Sequence, residues 1–449
     1  MNLDTVIHNA VVINARSRFE GWVGISGEKI AACGSDSNPP SAAEVIDAGG
    51  KWLVPGVVDS HCHWDWPDWP LEEGIRCTSN AVTGGVTTNL HMMIEPGSLV
   101  EGVRRRKEKW EAIAFSDASV HAVVFSLNHV EEIPAVAKMG VPSFKFFMPY
   151  RGSEAVPPLE PTDDGTIWKG LQAIAALGAK VVALVHCENI EPIFVIKDEL
   201  MASGRDDFQW RDVRPNFTEE EAMWRICFFA QLTGATLYIV HITIKEGPNV
   251  LAEARKRGVR LIAETCPHYL TLAAEDTDRV LGKCNPPLRT HDDNEALWAA
   301  IQAGHINVVG SDHAPDAVKH KPNFWDAIVG SAGLETLLPV MTHYGVNAGR
   351  ISAEKMVDLI SAAPARTFGL YPRKGLIAPG SDADLVIVDP EREVTIRAAD
   401  LNHISDCTPW EGKTVRGWPE LTMVRGQVCA RDGEITGKPG TGRFLERDY

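Results

Sequence analysis

The middle of the chain alternates short apolar runs with stretches that have a helical period. Eight of the apolar runs have the length and near-continuous hydrophobicity of buried parallel strands. Most are followed by a loop and a helical pattern, such as Gly247 to Lys256, which ends before Gly258. This alternation predicts an α/β fold, a (β/α)8 barrel of the TIM type. The predicted strands are 54–63, 85–93, 119–126, 141–148, 180–187, 236–242, 259–266 and 306–311.

A helix between the fifth and sixth predicted strands has the clearest start and stop signals. Thr218 is the expected N-cap, with Glu221 completing a capping box three residues later. The helix is predicted over 222–232 and ends at Gly234. No Gly-x-Gly-x-x-Gly follows the first strand, which disfavours a dinucleotide-binding fold.

The two ends of the chain show short strands separated by turns, without a helical period. Strands are predicted over 5–12, 21–25, 29–33 and 52–54, and again over 383–389 and 421–426. Such ends, flanking a different middle, predict one small β-sandwich domain built from both termini. The predicted domains are therefore 1–54 with 375–449, and a barrel over 55–374.

Composition narrows the class of protein. The 449 residues have a formal net charge of -16, which argues against a nucleic-acid surface or a polybasic membrane patch. No apolar run approaches the roughly 20 residues that span a bilayer, and no signal peptide is recognised. The nine cysteines include no Cys-x-x-Cys pair, which is typical of reduced thiols. We therefore expect a cytoplasmic protein with no nucleic-acid or membrane partner.

Candidate metal ligands lie at the ends of the predicted strands. His61 and His63 alternate with Cys62 on one strand, so both imidazoles face the same side. A lone histidine at a strand end is more often a capped or core residue, and an aspartate there can cap a helix. Several such residues at one barrel mouth favour a metal site. The set is His61, His63, Lys145, His186, His241 and Asp312.

Lys145 is unusual because it lies among Phe144, Phe146 and Phe147 in a predicted buried strand. One interpretation is an ion pair inside the barrel. The other is a functional amine, since burial lowers the pKa of a lysine and a neutral amine can form a Schiff base or take up CO₂ as a carbamate. A carbamate would supply two oxygens, enough to bridge two metals.

These residues occur in motifs that resemble those of the cyclic amidohydrolases: hydantoinases, dihydropyrimidinases, allantoinases and dihydroorotases. The resemblance covers nearly the whole chain, and 330–339, 364–370 and 380–384 are most similar to bacterial hydantoinases and allantoinases. The other matching stretches are 55–63, Phe144-Lys145-Phe146-Phe147-Met148, Val185-His186-Cys187-Glu188-Asn189, 264–270, Asn285-Pro286-Pro287-Leu288-Arg289 and Ser311-Asp312-His313-Ala314-Pro315.

The resemblance implies two divalent metals, usually zinc, bridged by N6-carboxylated Lys145 and a hydroxide that attacks the ring. Manganese and cobalt remain alternatives. His61, His63 and Asp312 would hold one metal and His186 and His241 the other, and Asp312 would also transfer the proton. Tyr150 would stabilise the oxyanion, although it could equally be a packing tyrosine. Asn285, His268 and Gly333 are further expected substrate contacts. A homo-oligomer, dimer or tetramer, is also implied.

The segment after His63 departs from the dihydroorotase pattern. It reads Trp64-Asp65-Trp66-Pro67-Asp68-Trp69 and lacks an arginine to bind a substrate carboxylate. Trp64 and Trp66 could form an aromatic wall over the substrate, pack to hold down a long loop, or contact another subunit. We expect a hydrolase that opens a cyclic amide, imide or ureide, hydantoin-like first. Allantoin, dihydropyrimidines and aromatic lactams are alternatives, dihydroorotate ranks lower, and a non-catalytic assembly or binding homologue is the alternative from another class.

Overall fold

Strands from the amino end of the chain begin a large sheet. The computed structural model describes residues 3–36, 38–65, 69–155, 157–159 and 161–449. The first strand is central: it pairs antiparallel with the second and parallel with the fourth and fifth. The five strands are β1 (Leu3–Asn14), β2 (Ser17–Ser26), β3 (Lys29–Gly34), β4 (Ala42–Asp47) and β5 (Trp52–Pro55).

The next eight strands form a parallel sheet in which each pairs with its neighbour along the chain. A parallel bridge between Cys62 and His313, just beyond the last strand, brings the two edges together into a nearly closed barrel. The predicted (β/α)8 architecture is confirmed. The strands are β6 (Val57–Cys62), β7 (Val86–Met93), β8 (Asp117–Val123), β9 (Ser143–Phe147), β10 (Val182–His186), β11 (Thr236–Ile239), β12 (Leu261–Thr265) and β13 (Val308–Val309).

Helices follow most of these strands and cover the outside of the barrel. In the described residues, no helix combines the length and apolar character needed to cross a membrane. Two short π-helices, Met341–Asn347 and Asp358–Ala362, continue α11 and α12. The α-helices are α1 (Leu71–Ser79), α2 (Leu99–Ile113), α3 (Leu127–Lys138), α4 (Asp164–Leu177), α5 (Ile190–Ala202), α6 (Trp210–Val213), α7 (Asn216–Thr233), α8 (Gly247–Lys256), α9 (Pro267–Thr271), α10 (His291–Gln302), α11 (Leu337–Val340), α12 (Ala353–Val357) and α13 (Ala363–Thr367).

The predicted N-cap of α7 is wrong. The helix begins at Asn216, and Thr218 lies inside its first turn with its hydroxyl donating to the Pro215 carbonyl. Glu221 accepts a hydrogen bond from Asn189 instead of completing a capping box. The end at Gly234 is as predicted, because this residue adopts the left-handed C-cap conformation with φ of 74°.

The carboxyl end of the chain completes the first sheet. β14 pairs antiparallel with β5 on one side and β17 on the other, so both ends of the chain share this sheet, as predicted. β15 and β16 form a separate pair. The domain boundaries at 54/55 and 374/375 stay predictions. The strands are β14 (Leu385–Val388), β15 (Glu393–Thr395), β16 (Thr414–Arg416), β17 (Pro419–Val424), β18 (Gln427–Arg431) and β19 (Glu434–Ile435).

A buried ion-pair network fixes this sheet against the amino-terminal end of the barrel. The Lys374 ammonium lies 2.6 Å from an Asp117 oxygen at the start of β8 and 2.5 Å from Asp384 beside β14. Burial lowers the pKa of Lys374, but the carboxylates outweigh it and raise the pKa overall. Arg425 also pairs with Asp117. The predicted metal ligands lie at the opposite end of the barrel, where the strands terminate.

Candidate metal centre

Three of the predicted ligands meet where the first and last barrel strands end. His61 lies on β6 and His63 follows it, so the strand alternation gives both imidazoles the same direction. Their Nε2 atoms lie 3.1 Å and 3.5 Å from Oδ1 of Asp312. The donor atoms of all three residues lie within 4.8 Å of one another. Two imidazoles and a carboxylate form a donor set that suits zinc.

His186 and His241 lie beside this group. His186 ends β10, and its ring centroid is 4.4 Å from that of His241, with the two rings edge to face. The His241 ring lies 5.4 Å from the His61 ring. Four imidazoles from the ends of β6, β10 and β11 therefore converge, which is enough nitrogen donors for more than one cation.

His241 and Asp312 share a strained backbone conformation. Their φ values are 37° and 46°, in the left-handed region that non-glycine residues seldom adopt. Each such residue costs about 1–3 kcal/mol, and residues of this kind cluster at functional sites. Both residues lie just beyond a strand end, after β11 and β13. The strained turn brings each side chain toward the other predicted ligands.

The Asp312 carboxylate is held ionised by its surroundings. Burial alone would raise the pKa of this group. The neighbouring imidazoles of His61, His241 and His63 outweigh burial and hold the Asp312 pKa well below its usual range. An ionised carboxylate can both bind a cation and accept a proton.

Lys145 lies on β9 with its side chain fully inside the barrel. Its Nζ has no hydrogen-bond partner within the described part of the chain, and it lies 4.8 Å from the Phe147 ring centroid. Burial lowers the pKa of Lys145 to about 8, although Asp312 and Glu264 act in the opposite direction. A lysine amine left without a partner at this position fits the attachment of CO₂ and the bridging of two cations.

Two buried glutamates orient the imidazoles, and the sequence reasoning missed their role. Glu264 lies 2.8 Å from Nδ1 of His61, which leaves Nε2 for a ligand. Glu188 lies 2.7 Å from Nε2 of His186, which leaves Nδ1. A general rule could have indicated these glutamates: a histidine that binds a metal usually donates its other N–H to a carboxylate or carbonyl. Both glutamates lie in the matched motifs.

Arg214 and Tyr238 hold these glutamates in turn. The Arg214 guanidinium donates to Glu188 from Nε at 2.9 Å, and the Tyr238 hydroxyl donates to Glu264 at 2.6 Å. Burial would raise the pKa of Glu188, but Arg214 outweighs it and lowers the pKa. Both carboxylates are thus ionised and fixed.

A small cavity opens above the predicted ligands, and Tyr150 and Asn285 line it. The Tyr150 ring centroid is 5.5 Å from that of His186. Burial raises the pKa of Tyr150, so its hydroxyl keeps the proton and can donate a hydrogen bond. Asn285 accepts from the Trp210 indole at 2.8 Å, which fixes the amide.

Of the other predicted substrate contacts, those that the structure describes lie apart from this cavity. Trp64 is fully buried, stacks between His91 and Trp110, and donates to Asn89, so it packs the loop and does not form a wall over a substrate. Trp66 lies outside the described residues. His268 lines an adjoining cavity. Gly333 donates its backbone N–H to His313 at 3.3 Å and is not among the described residues that line either cavity.

Comparisons with known proteins show which family the chain belongs to. Residues 233–429 match the family described as "Amidohydrolase family". The chain is 34% identical to a D-hydantoinase of Ralstonia pickettii, with 99% of each protein covered. It is 32% identical to an L-hydantoinase of Paenarthrobacter aurescens, covering 99% of this chain and 98% of the relative.

Solved structures of hydantoinases and dihydropyrimidinases have the same fold as this chain. The L-hydantoinase (dihydropyrimidinase) of Arthrobacter aurescens superimposes with a TM-score of 0.92 at 31% identity, over 99% of this chain and 100% of that one. A dihydropyrimidinase from Brevibacillus agri gives a TM-score of 0.90 at 31% identity, over 99% and 98%. The chain therefore belongs to the amidohydrolase family, as a cyclic amidohydrolase of the hydantoinase and dihydropyrimidinase group.

Proposed function

We propose that the chain binds two divalent cations, zinc first with manganese or cobalt as alternatives, and opens a hydantoin-like ring. His61, His63 and Asp312 would hold one cation, His186 and His241 would hold the other, and Lys145, if carboxylated, would contribute oxygen ligands. The observation that carries the proposal is the amine of Lys145, which is buried beside four converging imidazoles and has no hydrogen-bond partner within the described residues.

The residues around the cavity have separate roles in ring opening. Two cations held by these residues would lower the pKa of a bound water and polarise the carbonyl under attack. Asp312 accepts the proton of the attacking water and delivers it to the ring nitrogen as the C–N bond breaks. Glu264 and Glu188 keep His61 and His186 in the ring orientation that the ligand set needs.

Tyr150 is positioned to stabilise the negative charge that develops on the carbonyl oxygen. Its protonated hydroxyl lines the cavity, and its ring is packed against His186 and Phe147. A fixed donor of this kind acts mainly in the transition state, where the oxygen gains charge. Asn285, held by Trp210, offers a second polar contact for the ring amide.

A larger chamber adjoins the cavity and supports a substrate with an exocyclic group. It has a volume of about 470 Å³ and shares Tyr150, Asn285 and Val329 with the cavity over the ligands. Trp210 and Trp325 contribute aromatic surface to its lining. Charged side chains, among them Glu154 and Lys283, share this lining, so the chamber suits a substituent whose aromatic ring packs on the indoles while its edge faces polar groups.

The substrate proposal is tested by ring opening with metal- and bicarbonate-supplemented protein. The panel comprises hydantoin, ring-substituted hydantoins, allantoin, dihydrouracil, dihydroorotate, succinimide-type imides and benzo-fused lactams. We expect an aryl-substituted hydantoin to exceed hydantoin in kcat/KM by about 10-fold or more, since burying the group contributes roughly 1.5–3 kcal/mol. Turnover of another ring class with none of any hydantoin would contradict the substrate assignment and leave the hydrolase chemistry intact.

The role of Tyr150 predicts a loss of turnover without a loss of metal. Tyr150→Phe removes one oxyanion donor, so kcat should fall by about 10²–10³-fold. Metal content and KM should stay close to those of the parent. Tyr344→Phe, a half-buried tyrosine on the π-helix Met341–Asn347, is the matched control. A kcat for Tyr150→Phe equal to that of the control would show that Tyr150 only packs.

We also propose a homo-oligomer, a dimer or tetramer, on the strength of the family resemblance. Sedimentation of the purified protein distinguishes it from a monomer.

A further inference from the structure

A second group of donor atoms lies beside the candidate centre and shares one residue with it. The donor atoms of Cys266, His268 and Asp312 all lie within 4.8 Å of one another. Cys266 directly follows β12 and is the N-cap of α9, whose second residue is His268. The end of a barrel strand and the short helix after it therefore bring a thiol and an imidazole to the same carboxylate.

His268 is the second observation that points to a ligand. Its side chain is buried, with 1% of its surface exposed, yet neither ring nitrogen has a hydrogen-bond partner within the described residues. The ring is held between Tyr269 and Trp410, with centroids 4.0 Å and 6.4 Å away. Buried polar atoms are nearly always paired, so an imidazole without any partner here calls for a group to bind it.

The donor types select a soft cation. Cys266 is a free, fully buried thiol, and its conversion to a thiolate adds a sulfur ligand to the imidazole and the carboxylate. Cysteine, histidine and aspartate together suit zinc or cadmium, whereas manganese and magnesium prefer oxygen donors. The predicted catalytic ligands contain no sulfur, so the two sites differ in the cations that they prefer.

The cavity that His268 lines borders the substrate cavity. His268 lines a cavity with Cys284, Gly330 and Ser331, and the same three residues line the cavity above His61 and His63. Asp312 and His268 therefore line two adjoining cavities, one each.

We propose that Cys266, His268 and Asp312 form a third, inhibitory site for Zn²⁺ or Cd²⁺. On binding, the S–H bond of Cys266 breaks, its proton passes to solvent, and a sulfur–metal bond forms. The inhibitory effect rests on the proposed function, because the third cation occupies the Asp312 carboxylate that accepts and delivers the proton. The site itself depends only on the three residues.

The test adds Cd²⁺ or Co²⁺ beyond two equivalents to the metal-loaded holoenzyme. Three quantities are followed: bound metal per chain, the near-ultraviolet thiolate-to-metal charge-transfer absorption, and the ring-opening rate. We expect a third equivalent to bind with a thiolate band, while the rate falls by at least about 10-fold, within the range that acid–base groups contribute. Excess Mn²⁺ should produce neither change.

Cysteine variants identify the sulfur atom that gives rise to the charge-transfer absorption band. Cys266→Ser should lose the third equivalent and the band and keep its rate in excess Cd²⁺, and Cys266→Ala serves if the serine variant does not fold. Cys429→Ser, which removes a buried thiol on β18, should behave like the parent. A band that survives in the Cys266 variants, or no band in the parent, would overturn the site.

One further outcome distinguishes binding at the third site from inhibition by it. A third equivalent that binds with the band while the rate is unchanged overturns the inhibitory role. The band and the metal content can be read even if no substrate in the panel is opened. Failure of the proposed function is therefore distinguishable from failure of this site.

Discussion

Lys145→Ala is expected to lose both its metal content and its activity. Removing the side chain takes away the group proposed to bridge two cations, so bound metal should fall from two per chain to one or fewer. Loss of several kcal/mol of transition-state stabilisation lowers the ring-opening rate by about 10³-fold or more. Metal analysis and kcat/KM on the best substrate of the panel measure the two effects.

Three comparisons make the Lys145 result specific. Lys180→Ala changes an exposed lysine before β10 and should match the parent. Added acetate should restore part of the Lys145→Ala activity, because a free carboxylate can occupy the space left by the side chain. Isotopically labelled bicarbonate should give a carbamate carbon signal in the parent alone. Full metal content and full rate in Lys145→Ala would rule out the bridging role.

Asp312→Asn is expected to have the other large effect. The amide keeps the size of the side chain but accepts no proton, so kcat should fall by about 10²–10⁴-fold. The loss should persist in metal-saturated buffer, where bound metal is measured alongside the rate. Asp276→Asn, an exposed change of the same kind, is the control. Recovery of the parent rate once the metals are restored would show that Asp312 is a ligand without a role in proton transfer.

The barrel could be predicted because its signals are local. Each of the eight strands is a short apolar run bounded by turns, and the rule that chemistry gathers at strand ends follows from the parallel arrangement. The sequence therefore led to His61, His186 and Asp312 through their positions after β-strand patterns. Their convergence to a few ångströms required the closed sheet, which no local pattern specifies.

Features that depend on long-range packing were not predictable in the same way. Trp64 belongs to a tryptophan-rich segment that could form an exposed aromatic wall. In the structure it is buried, because it stacks on His91 from β7 and Trp110 from α2. Glu188 and Glu264 gain their function only from the histidines that they contact. The predicted start of α7 is wrong because Thr218 and Glu221 match the capping-box pattern, although the helix begins two residues earlier, at Asn216.

The proposed function requires two cations and carboxylated Lys145 for ring opening. The most direct measurement removes all metal with a chelator, returns Zn²⁺ stepwise in the presence of bicarbonate, and records bound metal and ring-opening rate together. We expect no turnover in the metal-free protein and a rate that reaches its maximum at two equivalents per chain. A metal-free protein that opens the ring at the full rate would contradict it.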